Sequence, residues 1–420
     1  MEYSQKSSLF FEELKKAAPA LSDKFTGLPT KKNENYKYTN FESAFADSFE
    51  VAHTTTPGSG FSDFLGSLPT RCQVVLGNGS LNKELTNLPE GLSLEKSFDG
   101  SFEGTQNQDP FEVLSQGLAK ESIHLRLAKN TKIPLTVIVH DLDLADNQTT
   151  FPRLTITCEE GSQANFLEVF RTSDGFTSNI KAQSIASTHL EVKANAHIGH
   201  TKVQLAGNGH THVGNLTANI YRDANLNSLT FTATGGINRN NLEFNILETG
   251  AHATVNGLYT GREEQHHDNF TLIRHKASHT TSDQLFKGIM DDNSHGVFTG
   301  KIVIHRDAQQ VDSSQLNKNL LLSKKAKVDT RPQIEVYADD VKCGHGATVG
   351  QINEEEVFYL ESRGIERSKA QKILCHAFGQ DVLDTCPDKE VTTYLSGILF
   401  EQFERFALDN LESKLGKNHD

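Results

Sequence analysis

Tryptophan is absent from this 420-residue chain, and methionine occurs only twice. Cysteine is scarce too. The five residues, at 72, 158, 343, 375 and 386, are scattered and form no CxxC pair, which excludes both a disulfide framework and a zinc ribbon. No apolar run approaches the roughly 20 residues needed to span a bilayer. The opening Met-Glu-Tyr-Ser-Gln-Lys has no basic stretch followed by an apolar core, so no secretory signal is expected. Positive charge is in deficit: the net charge is −13 with histidine neutral, which argues against attraction to nucleic acid or anionic membranes. Together these absences predict a cytoplasmic protein with reduced thiols, no nucleic-acid partner and no membrane partner.

What is present is polar but patterned. Hydrophobic residues make up 36% of the chain and mean hydropathy is −0.47, yet aromatic and β-branched residues are spread throughout, so the chain is not disordered. The length allows two or three domains or one large repetitive one. Residues 1–120 read as a helical and mixed region. Leu9, Phe10, Leu14, Ala17, Ala18 and Leu21 recur at helical spacing until Gly27-Leu-Pro-Thr30 breaks the pattern. Thr54 to Gly60 resembles an exposed loop, Cys72 to Leu76 a short strand, and Asp109-Pro110 the start of a brief helix to Leu118.

From 121 to 350 the character changes to short alternating runs. Examples are Ile123/Leu125/Leu127, Leu154/Ile156/Cys158, Phe166/Glu168/Phe170, Leu229/Phe231 and Ile302/Ile304. Gly, Asn, Asp, Ser and Thr punctuate them, and no helix of ordinary length intervenes, which argues against βαβ units. Loose recurrences such as Gly250-Ala-His-Ala-Thr-Val-Asn-Gly257 and Asn293-Ser-His-Gly-Val-Phe-Thr-Gly300 fit a β-solenoid or a large sandwich. In a solenoid, polar residues at repeated inward positions stack as ladders. Residues 351–420 return to a helical period. Asn353 caps a helix opening Glu354-Glu-Glu356, Gly364 stops it, Ser368 caps a second, and a longer amphipathic stretch runs from Val391 to Phe406. These helices suit packing on the solenoid end, docking of a partner, or both.

The chemistry concentrates at Cys343 and His345. Thiolate plus imidazole is a ligand set for iron–sulfur clusters, zinc or copper(I). In an extended segment the two residues face the same side, and Gly344 and Gly346 leave room for a close approach. Two ligands do not close a metal site, so others must come from elsewhere, or the pair is a buried thiol and a core histidine. His210-x-His212 is a weaker chelate pattern, and most of the remaining histidines read as ladder or turn residues. Asp291-Asp292 and Asp339-Asp340 raise the alternative of a carbohydrate-active β-helix, although adjacent strand residues point to opposite faces and turns use Asp freely. Gly296-Val-Phe-Thr-Gly-Lys-Ile302 misses the phosphate-loop spacing. A zinc- or metal-binding structural protein is a third reading.

Thr330-Arg-Pro-Gln-Ile-Glu-Val-Tyr-Ala-Asp-Asp-Val-Lys-Cys-Gly-His-Gly-Ala-Thr-Val-Gly350, followed by Phe358-Tyr-Leu-Glu-Ser-Arg-Gly-Ile365, closely resembles the SufB/SufD family of the SUF iron–sulfur cluster assembly system. The block is nearer to SufD subunits than to SufB. The segment Gly27 to Thr39 is similar to the same family, with Tyr36 where tryptophan is usual. The resemblance implies a mainly β protein, a right-handed parallel β-helix over 121–350 flanked by N- and C-terminal helical regions. It implies a non-catalytic scaffold that pairs with a SufB-like subunit and binds a SufC-like ABC ATPase through helices after residue 350. His345 and Cys343 would share a transient iron–sulfur cluster at the partner interface, with none held tightly by the isolated chain. Paired β-helices also allow a homodimer of the chain alone.

Overall fold

The computed structural model describes residues 3–4, 27–41, 44–45, 50–52, 60–97, 109–172 and 178–415. The helix expected over Leu9 to Leu21 and the loop at 54–59 lie outside them.

Two long parallel sheets wind as a β-solenoid of about seven turns. The chain alternates between them strand by strand. Ser122–Leu127, Arg153–Cys158, Gln183–Val192, Thr211–Ile220, Ile237–Ile246, His266–His275, His295–Ile304 and Lys327–Val336 stack in the first sheet. Thr136–Leu142, Gln163–Thr172, His197–Leu205, Asn225–Thr232, His252–Gly261, Thr281–Met290, Val311–Leu321 and Val341–Gln351 stack in the second. Side chains one coil apart, commonly 29 residues in sequence, therefore lie in register.

Alternation decides which residues fill the interior. Ile156, Leu190, Ala218, Phe244, Ile273 and Ile302 are successive register partners in the first sheet, and all are buried. Each of the larger side chains contributes about 1.5–3 kcal/mol by leaving water. The corners explain the Gly/Asn/Asp punctuation. Gly161, Asn195, Asp223, Gly250, His279 and Gln310 hold left-handed φ values between 54° and 74° at successive turns of one corner. Each donates its amide to a carbonyl one coil further on.

Several runs face the other way. Leu229, Phe231, Val203, Leu258 and Ile289 point out of the second sheet and are buried by the C-terminal helices, together with Cys375, Leu395 and Leu399. Helices α1 (Phe61–Ser67) and α2 (Pro110–Leu118) precede the solenoid core. Helices α3 (Glu354–Glu361), α4 (Arg367–Leu383) and α5 (Lys389–Leu415) follow it. The helices thus lie along a flank, not across the solenoid end as a cap would. Lys287 ties them down, donating to Asp381 (2.6 Å) and to the Phe378 carbonyl (2.9 Å).

Local expectations fare unevenly. Asp109 caps α2, Asn353 caps α3 by accepting from the Glu355 amide, and Gly364 turns left-handed after it. Ser368 does not cap α4: Glu366 holds that position and Ser368 hydrogen-bonds to its carboxylate instead. The described residues before α1 are not α-helical. Residues 27–41 form a short strand at Leu28–Pro29 and a 3-10 turn at Glu34–Tyr36, pressed against the outside of the first sheet. There the buried Arg239 donates to Asp268 (2.6 Å) and lies 4.4 Å over the Tyr36 ring, while Tyr36 bonds to Asp109 and Thr39 to Asp268. The sheets also start earlier than residue 121, because Gln73–Gly77 pairs with Thr136–Leu142.

Candidate functional site

The two ends of the solenoid differ. At the N-terminal end the sheets finish in antiparallel strands, Ser80–Asn87 and Leu92–Ser97, which close the stack with a change of direction. At the other end Val341–Gln351 is paired with Val311–Leu321 on one side only. Among the described residues nothing occupies its second edge. The neighbouring end strand, Lys327–Val336, is equally one-sided.

Cys343 and His345 lie on this terminal strand. In register, Cys343 stands over Ser313 and His345 over Gln315, and both of those are buried on the inner face. The pair therefore continues two inward-facing rows into a coil with no successor. His345 is exposed, and Cys343 is half-buried against the end of the core. Burial raises the Cys343 thiol above its ordinary pKa, and the Asp312 carboxylate raises it further, with a hydrogen bond from the Ser313 backbone opposing. In the chain alone this group is a protonated thiol at neutral pH. A soft cation or a partner's positive charge has to displace the proton.

Of the glycines beside it, Gly344 answers to nothing among the described residues. A Cβ on Gly344 would meet no atom within 4 Å, and one on Gly346 would only touch the Leu316 side chain at 3.1 Å. The rows beneath are polar for two coils. Ser282 accepts or donates between His275 Nε2 (2.9 Å) and Ser313 Oγ (2.7 Å), and Gln315 donates to Gln284 (2.6 Å). The sequence carries the signal: Ser282-Asp-Gln284 and Ser313-Ser-Gln315 have the spacing of Cys343-Gly-His345. It went unread because the coil length, which puts the three segments in one column, is irregular.

Other predicted residues go elsewhere. His210 and His212 both bond to Ser184 Oγ (2.8 Å each) inside the solenoid. Burial, then the nearby Lys202, holds His212 well below the usual imidazole range. No group of three His, Cys, Asp or Glu side chains suited to a metal exists among the described residues. Asp292 is a left-handed turn residue, and Gly296 to Ile302 lie within a strand, with Lys301 paired to Glu335 (2.7 Å). A buried cluster that spacing did not reveal is Glu168, which accepts from His140 (2.8 Å), His200 (3.0 Å) and Thr188 (2.8 Å).

On α3, Phe358 and Tyr359 are 71% and 56% exposed, an apolar pair on a helix directly after the terminal strand. No helix among the described residues is long and apolar enough to cross a membrane.

Residues 142–378 match the family model for the SufBD core domain of SUF-system FeS cluster assembly. The iron–sulfur cluster assembly protein SufD of Escherichia coli K12 is 30% identical over 87% of this chain and 86% of its own length. A SufBD family protein of Synechocystis is 25% identical over 86% of the chain and 84% of its own length. A chloroplastic protein of Arabidopsis thaliana, ABCI7, is 23% identical over 87% and 81%.

Proposed function

The chain belongs to the SufBD family of the SUF iron–sulfur cluster assembly system, as a SufD-type subunit, and from that premise we propose that its open end is where a nascent cluster is assembled against a second subunit. The observation that carries this reading is the placement of Cys343 and His345 on one face of a strand whose outer edge is unpaired. The cluster is cargo. This chain offers it one thiolate and one imidazole, and an iron needing about four ligands takes the rest from the partner.

The partner best suited is a SufB-like subunit of the same architecture. A solenoid end presenting two bare strand edges is matched by another such end, which supplies main-chain hydrogen bonds and its own inward rows. Gly344, where a Cβ would meet nothing within 4 Å among the described residues, and Gly346 let that backbone come close. The α3–α5 segment is the proposed seat of a SufC-like ABC ATPase, with Phe358 and Tyr359 as apolar anchors. ATP hydrolysis then belongs to that partner, and this subunit has a non-catalytic, cytoplasmic role.

The test is co-expression with SufB-like and SufC-like subunits, pull-down, and anaerobic cluster reconstitution. Deleting residues after Gly350 should release the ATPase and leave the SufB-like subunit bound. His345→Ala should lower cluster assembly in a SUF-dependent cell without dispersing the complex. Native assembly by that variant removes the role given to the ring.

A further inference from the structure

Beneath His345 lies a side chain that has half of its hydrogen bonding unmet. Gln315 is 2% exposed and is the register partner of His345 on the same inner face. Nε2 donates to Gln284 Oε1 at 2.6 Å, and Gln284, also 2% exposed, keeps its own Nε2 unpaired among the described residues. The remaining atom, Oε1 of Gln315, is buried and has no partner among the described residues. A buried carbonyl oxygen left unpaired costs on the order of 1–3 kcal/mol, so such an atom normally marks a missing partner. Space for the amide is provided from across the interior, where a Cβ on Gly300 would fall 2.3 Å from Gln315 Nε2.

We infer that Gln315 is a positioning residue for His345: its carbonyl oxygen accepts the Nδ1–H of the imidazole and thereby turns the Nε2 lone pair outward. The inference rests on the functional reading above, since only a ligand arriving from outside gives that lone pair a use. Nδ1 is the ring nitrogen nearer the backbone, and a neighbouring strand lies about 4.8 Å below. An imidazole that coordinates through one nitrogen characteristically donates from the other, which fixes both tautomer and ring plane. The exposed His345 ring has to turn onto Gln315 Oε1 to form this bond, and once it has turned, docking would not have to order it.

The tautomer is the readout. In water a neutral histidine carries its hydrogen mainly on Nε2, so a population with the hydrogen on Nδ1 is diagnostic. The full-length chain is labelled with ¹⁵N-histidine, and the His345 signals are identified by their loss in His345→Ala. In mildly alkaline buffer, Nδ1 of His345 should appear protonated in the native chain. Gln315→Leu should return the ring to the Nε2–H form and lower cluster assembly in a SUF-dependent cell about tenfold. Gln315→Glu, which keeps an acceptor, should keep the Nδ1–H form. Should Gln315→Leu fold poorly, Gln315→Met removes the acceptor at similar length. An unchanged tautomer in either apolar variant overturns the inference, as does a reversed tautomer with native assembly. Native assembly by His345→Ala is a separate result, and it overturns the functional reading instead.

Discussion

Replacing Glu168 by alanine should destabilise the solenoid by about 3–5 kcal/mol, the cost of breaking a buried charged cluster. The carboxylate is fully buried and accepts from His140, His200 and Thr188. A carboxylate only accepts, so both imidazoles must donate from Nε2. Truncation leaves three buried donors unpaired, each worth about 1–3 kcal/mol. It also removes the negative charge that helps keep the buried Lys202 ionised. Burial lowers that ammonium to about 8, with Glu168 opposing the shift. Burial alone would raise the Glu168 carboxyl, but the hydrogen bonds from the two histidines outweigh it and hold the group well below the usual carboxylate range. Its folded pKa is therefore below its unfolded value of about 4.3. The stabilisation is fully present above that value and is lost as the pH falls through the folded pKa. At neutral pH the alanine variant should melt roughly 5–10 °C lower. Hydrogen exchange should rise first in Thr136–Leu142 and His197–Leu205, whose His140 and His200 lose their partner. A melting temperature within about 2 °C of the native chain would refute the reasoning, because it would mean the cluster contributes no net stability.

Three further outcomes follow from the same geometry. Burial lowers His266 and His275 to about 4 and His267 to about 3. The unfolded chain, with histidines near 6.5, binds protons that the folded chain refuses, so urea midpoints should fall between about pH 6.5 and about pH 4; a flat midpoint across that window contradicts the assignment. Gly236→Ala would place a Cβ 2.2 Å from the Asn208 carbonyl oxygen, so the corner must move, and denaturant titration should register a loss of about 1–3 kcal/mol. Asn353→Ala removes the acceptor for the Glu355 amide and should cost α3 about 1 kcal/mol, visible as faster exchange in Glu354–Glu361 with the solenoid unaffected.

The architecture was legible because period-2 alternation survives in nearly every strand, from Ile123/Leu125/Leu127 to Ile302/Ile304. Which side of an alternating run faces inward was not legible everywhere. Leu229 and Phe231 look like interior residues, yet their burial depends on helices far later in the chain, from Arg367 onward. The contacts of the described N-terminal segment were not legible for a related reason. Tyr36 is held by Arg239 and Asp109, partners that no local periodicity announces. At the site, the pairing of Cys343 with His345 follows from strand geometry, whereas the Gln315 acceptor requires knowing which residue lies one coil below.

An exposed strand edge is ordinarily a hazard, since it recruits any other edge. This chain spends antiparallel strands on closing its N-terminal end and, among the described residues, leaves the opposite end bare. The bare end is not an aggressive one. Its second-sheet strand contains Gly344, Gly346 and Gly350, and its first-sheet strand contains Pro332, which lacks an amide donor. Glycine and proline weaken non-specific pairing while still accepting a partner whose register suits them. Lys327 and Lys342 add exposed charge along the same rim. A surface built only to cap the fold would use regular β-formers. One built to pair selectively, as proposed for this end, would combine weak edges with side chains such as its half-buried thiol and exposed imidazole.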